Sequence, residues 1–289
     1  MTTIKAFIKR NPVLTYFALT FAISWGCILL VIGPGGILGT KEVSESLMPF
    51  VYLATLLGPS IAGILLTGLV DGRAGFREFG SRLLRWRMGA HWYTVALLTA
   101  PLLIMATLLA LSLTSPVFLP VIVTTDDKAS LLLTGIVMGL VVGFFEELGW
   151  TGFAVPKLRL RYGILTTGLI VGFLWGAWHF PLFLGSVSSS GALPPSLYLS
   201  VLLFSFLPAY RVLMAWVYDH TGSLLVAMLM HAPLAASQLV LIPAAISGVQ
   251  VVTYDLVFAA TLWVFVVAVA VVNGGQLESR VSQLARIAA

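Results

Sequence analysis

Two adjacent carboxylates, Glu146 and Glu147, stand in the segment "GLVVGFFEELGWTGFAVPKL" (139–158), which is otherwise almost wholly apolar. Two histidines occur in similar settings, His179 in "WGAWHFP" (175–181) and His231 in "LMHAP" (229–233). A carboxylate in a low-dielectric cleft can serve as a general base that activates water for attack on a peptide carbonyl. Imidazoles coordinate zinc, polarise water or stabilise an oxyanion. One glutamate with two histidines suits zinc, with Glu147, His179 and His231 as ligands, and it equally suits a metal-free glutamate mechanism. Consecutive residues point about 100° apart on a helix, so Glu146 and Glu147 must do different jobs.

The elements that would position these groups are membrane spans. Of the 289 residues, 59% are hydrophobic and 9% charged, against about 25% charged in a soluble domain. Apolar runs of about 20 residues cross the hydrocarbon core as helix. Eight are expected, at roughly 12–32, 47–70, 91–114, 129–150, 163–184, 196–217, 222–243 and 254–273, the fourth continuing towards Pro156. The fold class is thus all-α, a polytopic bundle of about eight transmembrane helices around an intramembrane polar cavity. Residues 1–289 form a single membrane-embedded domain. The first run is too long for a signal-peptide core and lacks a small-x-small cleavage site, so it reads as an uncleaved span.

Lys and Arg separate strongly by side. Lys5, Lys9, Arg10, Arg73, Arg77, Arg82, Arg85, Arg87, Lys157, Arg159, Arg161, Arg211, Arg280 and Arg286 fall on one side, fourteen in all, and Lys41 and Lys128 on the other. The positive-inside rule then puts both termini in the cytoplasm of a multi-pass protein of the plasma or inner membrane. The net charge of +5 is explained by these loops, so nucleic acid is not an expected partner; the bilayer is. With a single cysteine, Cys27, no intramolecular disulfide is possible.

Ionisable groups inside such spans cost at least about 2.5–3.5 kcal/mol each and mark functional cavities by default. Crude helix depths put Glu146, His179 and His231 near the midplane, so convergence is expected. Each histidine is followed two residues later by proline, which frees the carbonyls of Ala177 and Leu229 and kinks the helix. Trp175 lies four residues before His179 on the same face and should form an aromatic wall beside the imidazole.

"EELGWTGFAVPKL", "WGAWHFPLF" and "LLVAMLMHAP" resemble the three signature blocks of the CPBP family. These are the CAAX-protease and bacteriocin-processing (Abi) intramembrane proteases, akin to the eukaryotic type II CAAX prenyl endopeptidase. The resemblance covers a core of about 139–237. It implies an eight-helix body and an intramembrane endopeptidase acting on a membrane-associated peptide or protein. It also implies that Glu146, Glu147, His179 and His231 are the catalytic set, activating water or binding a metal. Two motif places differ: the family arginine falls on Thr151 and its asparagine, an oxyanion donor, on Ala235. An arginine at 151 would pair with Glu147, so Thr151→Arg is expected to be tolerated and to raise activity. Arg211 and Gln238 are the residues able to supply the missing groups from elsewhere.

Other readings are a weak or inactive relative serving as membrane scaffold or immunity protein, and a proton-coupled transporter, which would also want buried acids and histidines. Inverted repeats would mark the transporter, and none is visible. There is no His-Glu-x-x-His zinc helix.

Overall fold

The computed structural model describes residues 3–37, 40–273 and 277. Among these the secondary structure is entirely helical. A short amphipathic helix, α1 (Thr3–Arg10), precedes α2 (Pro12–Ile37). The regular part of α2 ends at Gly33, whose φ of +69° suits glycine. Then follow α3 (Met48–Leu66), α4 (Gly72–Leu83), α5 (Ala90–Ser112), α6 (Lys128–Glu147), α7 (Ile164–Trp178), α8 (Pro195–Phe204), α9 (Leu207–Thr221), α10 (Leu224–Val240) and α11 (Val249–Val272).

Among the described residues six helical runs are long and apolar enough to cross a membrane, and a seventh is the bent pair Ile164–Trp178 and Phe180–Ser189, with a 49° break. The chain is therefore an all-α polytopic membrane protein. The segment expected at 222–243 is the exception in length. Its helix α10 has 17 residues, about 25 Å at 1.5 Å per residue, and is mostly buried by its neighbours. The break at His179 agrees with the expected proline kink. The second expected kink does not interrupt the chain, since α10 runs continuously through Pro233.

Two π segments were not foreseen. Thr67–Asp71 extends α3, and Trp150–Ala154 extends α6 towards the short helix Val155–Arg159. In the second, Ala154 N–H donates to Gly149 O at 3.0 Å, a rare five-residue spacing that is frequent at functional sites.

Close helix packing fixes where the acids go. Gly135, Gly139, Gly143 and Glu147 recur every four residues along α6 and line the face against α10. A Cβ on Gly143 would stand 2.8 Å from Met228 O and 2.9 Å from Ala232 N, and one on Gly139 would strike Ala232 O. Small residues at this spacing let membrane helices approach backbone to backbone. On α7, Gly168, Gly172 and Gly176 play the same part against Val212, Pro208 and Leu203. Gly143→Leu should therefore push α10 outward, because the obstructing atoms are backbone. Overpacking of this kind costs about 1–3 kcal/mol, readable as a lower melting temperature in detergent micelles.

Candidate active site

The hairpin of α9 and α10 turns at Gly222, in left-handed conformation (φ 58°), and Ser223 caps α10 by accepting from Val226 N–H at 3.2 Å. Arg211 lies eleven residues before Gly222 and His231 nine after, roughly 17 and 14 Å along their helices. Both side chains thus reach a similar depth. Tyr210 Oη donates to Met230 O at 2.7 Å and locks this register one residue from each.

Glu147 is fully buried and committed to three partners. Arg211 Nη1 and His231 Nδ1 each lie 2.7 Å from its Oε1, and Thr151 Oγ1 donates to its Oε2. Glu146, 3% exposed, is less engaged. Its Oε2 accepts from Trp175 Nε1 at 2.6 Å, and Arg211 Nη2 stays 3.9 Å away. The neighbouring turn is fixed from outside, by Ser60 Oγ donating to Phe145 O at 2.6 Å. The two carboxylates therefore differ in their partners, as a 100° separation on the helix leads one to expect.

Trp175 is the hub. Besides its bond to Glu146, its ring lies 4.0 Å from Arg211 Cζ, and its centroid is 5.3 Å from that of His179 and 5.2 Å from that of His231, edge to face in both cases. The expected aromatic wall is thus a contact shared by Glu146, Arg211 and both imidazoles. His179 Nδ1 lies 2.8 Å from Trp175 O, a carbonyl that can only accept, so Nδ1 carries the proton and Nε2 the lone pair. The carboxylate on His231 Nδ1 fixes the same tautomer there. His179 is part-buried and His231 is 2% exposed.

All four expected site residues are therefore brought together. Glu147, His179 and His231, though among them, are not arranged as a set of metal ligands. Among the described residues no three His, Cys, Asp or Glu side chains converge as a metal-binding group. Glu147 Oε1 already meets a guanidinium, whose charge opposes a cation at that oxygen. Glu147, His179 and His231 as arranged do not fit a ligand triad.

Arg211 is the residue misplaced by sequence reasoning. Counted with the cytoplasmic loops, it is instead 2% exposed inside α9, which lowers the fourteen to thirteen; Arg280 and Arg286 lie outside the described residues. Its place within the apolar run "LPAYRVLMAW" was the available signal, since an intramembrane cation needs a partner. Gln238, the other proposed supplier, leaves its buried Nε2 without a hydrogen-bond partner.

This geometry reverses one expectation. Thr151 is 2% exposed and bonded to Glu147, so an arginine there would crowd a carboxylate that Arg211 already holds. Thr151→Arg alone should destabilise the fold by about 1–3 kcal/mol without raising activity. Joined with Arg211→Leu, which removes the competing guanidinium, it should recover stability in the same melting assay.

Comparison with known proteins bears on the same residues. A family model described as type II CAAX prenyl endopeptidase Rce1-like matches residues 128–237, a stretch that contains the whole cluster. A CAAX prenyl protease 2 from Methanococcus maripaludis is 26% identical over 180 residues, 60% of this chain and 63% of that relative. The match thus spans less than two thirds of the relative's length.

Proposed function

We propose, on the premise that the chain belongs to the CPBP/Rce1-like family, that it is an intramembrane endopeptidase that hydrolyses a peptide bond of a membrane-associated substrate. The observation that carries this reading is the convergence of Glu146, Arg211, His179 and His231 on one indole, Trp175. Structural glue would not need two differently committed acids beside two imidazoles held in one tautomer.

In this reading Glu146 is the general base. Among the described residues its one hydrogen bond is from Trp175, which leaves its other oxygen for water. The proton passes to Glu146 while the hydroxide adds to the scissile carbonyl; collapse breaks the C–N bond and the same proton leaves on the amine. Glu147, saturated by Thr151, Arg211 and His231, is a positioning residue that orients the His231 ring. His179 and His231 offer their Nε2 atoms to the water or the departing amine. His179, the part-exposed member, marks the side from which substrate approaches. A C-terminal peptide carrying a prenylated cysteine is the substrate class to try first, since the archaeal relative is called a CAAX prenyl protease.

The test is a cleavage assay on such peptides with the full chain in micelles, with and without 1,10-phenanthroline. Cleavage that survives the chelator and disappears in Glu146→Ala is expected. Loss with the chelator would restore a metal mechanism, and cleavage by Glu146→Ala would favour the scaffold reading.

For topology we propose a plasma- or inner-membrane protein with cytoplasmic termini, as the remaining charge asymmetry supports. Reporter fusions at Ser188 and after Arg286 should report opposite sides. The same side from both would remove this orientation.

A further inference from the structure

A hydrolase of this type must hold the oxyanion of its tetrahedral intermediate, and the two histidines have no N–H to spare for it. His179 Nδ1 is engaged with Trp175 O and His231 Nδ1 with Glu147, so in the tautomer that these contacts select each ring presents a lone pair at Nε2. Trp175 spends its indole N–H on Glu146. Ala235 has no donor.

The guanidinium of Arg211 is different. Arg211 is 2% exposed, yet its Nε and Nη2 have no hydrogen-bond partner. A buried donor left without an acceptor costs about 1–3 kcal/mol, more when charged. The ring of Trp175 at 4.0 Å from Cζ screens the guanidinium without consuming its N–H groups, which point outward in its own plane. Nη1 is held by Glu147 at 2.7 Å, and Nη2 stands 3.9 Å from Glu146 Oε2, too long for a hydrogen bond and close enough to serve the same reacting carbon. Tyr16 Oη and Trp150 Nε1 are also buried without partners, with Trp150 packed 5.7 Å from the Tyr16 ring and 5.9 Å from Arg211 Cζ. Among the described residues Arg211 alone combines unused donors with nearness to the proposed base.

We infer that Arg211 is the oxyanion donor of this site, an assignment that rests on the hydrolase reading above. Water gives its proton to Glu146 and its hydroxide to the carbonyl carbon. The carbonyl π electrons move onto oxygen, and that oxygen is received by Arg211 Nη2 and Nε. When the C–N bond breaks, the electrons return to the carbonyl and the proton on Glu146 leaves with the amine. Glu147 then holds Arg211 by Nη1 so that its other edge meets the reacting centre.

The test uses the full chain in micelles, an internally quenched peptide with a farnesylated cysteine, and the same peptide with a phosphinate in place of the scissile amide as a tetrahedral anion. Arg211→Lys keeps a cation for Glu147 and loses the fork. It should lower kcat by about 10²–10³-fold, leave KM within about threefold, and weaken phosphinate binding in proportion to kcat. Should lysine unsettle the fold, Arg211→Gln with Glu147→Gln removes both charges together, and the same loss of phosphinate affinity is expected. Wild-type kcat and phosphinate affinity in a folded Arg211→Lys would overturn the assignment while cleavage by wild type and not by Glu146→Gln left the hydrolase reading standing. A wild-type chain that neither cleaves the peptide nor binds the phosphinate would sink both.

Discussion

Glu146→Gln is expected to lower peptide turnover by about 10²–10⁴-fold, the range over which a positioned general base acts. The substitution keeps the shape of the side chain and an oxygen to accept the Trp175 N–H that now lies 2.6 Å away. It removes only the ability to take a proton. The melting temperature should therefore stay close to that of the wild type, which separates chemistry from folding. Glu147→Gln should behave in the opposite sense. Its carboxylate is bound by Arg211, His231 and Thr151, so its loss should register first in stability. Measuring turnover and melting for both variants decides the division of labour. Unchanged turnover in Glu146→Gln would hand the acids to helix packing and return the scaffold reading.

Arg211→Met should lower the unfolding free energy by about 3–5 kcal/mol, the usual consequence of removing one partner from a buried ion pair. The pair is almost wholly withdrawn from solvent, at 1% and 0% side-chain exposure. Without the guanidinium, Glu147 keeps only Thr151 and His231. Adding Glu147→Gln to Arg211→Met removes the stranded charge and should recover most of the loss. Denaturant unfolding of the two single variants and the double gives the coupling directly. Strictly additive losses would mean that the pair does not hold the helices together.

The acids and histidines were legible in the sequence because ionisable groups in apolar runs are rare and expensive. That Glu146 and Glu147 meet different partners followed from helical geometry at consecutive positions. The span pattern was legible for the same reason of length and apolarity, and the ends of the first two runs agree with Gly33 and Gly72, both at positive φ. What was hidden depended on partners. Arg211 stands inside an apolar run, which marks it as needing a partner, but the partner, Glu147, is seen only when α9 is packed against the other helices. The glycine ladder on α6 was readable as a four-residue repeat, but its meaning came from the α10 backbone that it admits. The indole N–H of Trp175 could not be assigned a partner from "WGAWHFP" alone. The cation beside Glu147 was hidden for the same reason, because Arg211 comes from a distant part of the chain.

The π segment at Trp150–Ala154 divides one helical run into two rotational phases. Before it lie Glu146 and Glu147, facing α7, α9 and α10. After it lie Lys157, paired with Asp71 at 2.7 Å, and Arg159, paired with Asp219 at 2.7 Å. A turn spaced by five holds one residue more than an α turn, and one residue is worth about 100° of rotation. Deleting a single residue within Leu148–Ala154 would turn Lys157 and Arg159 away from their aspartates while the acids kept their places on the Gly135–Gly139–Gly143 ridge. Along this run an insertion or deletion acts as a twist, and the half that carries the carboxylates and the half that carries Lys157 and Arg159 can change their relative facing through chain length alone.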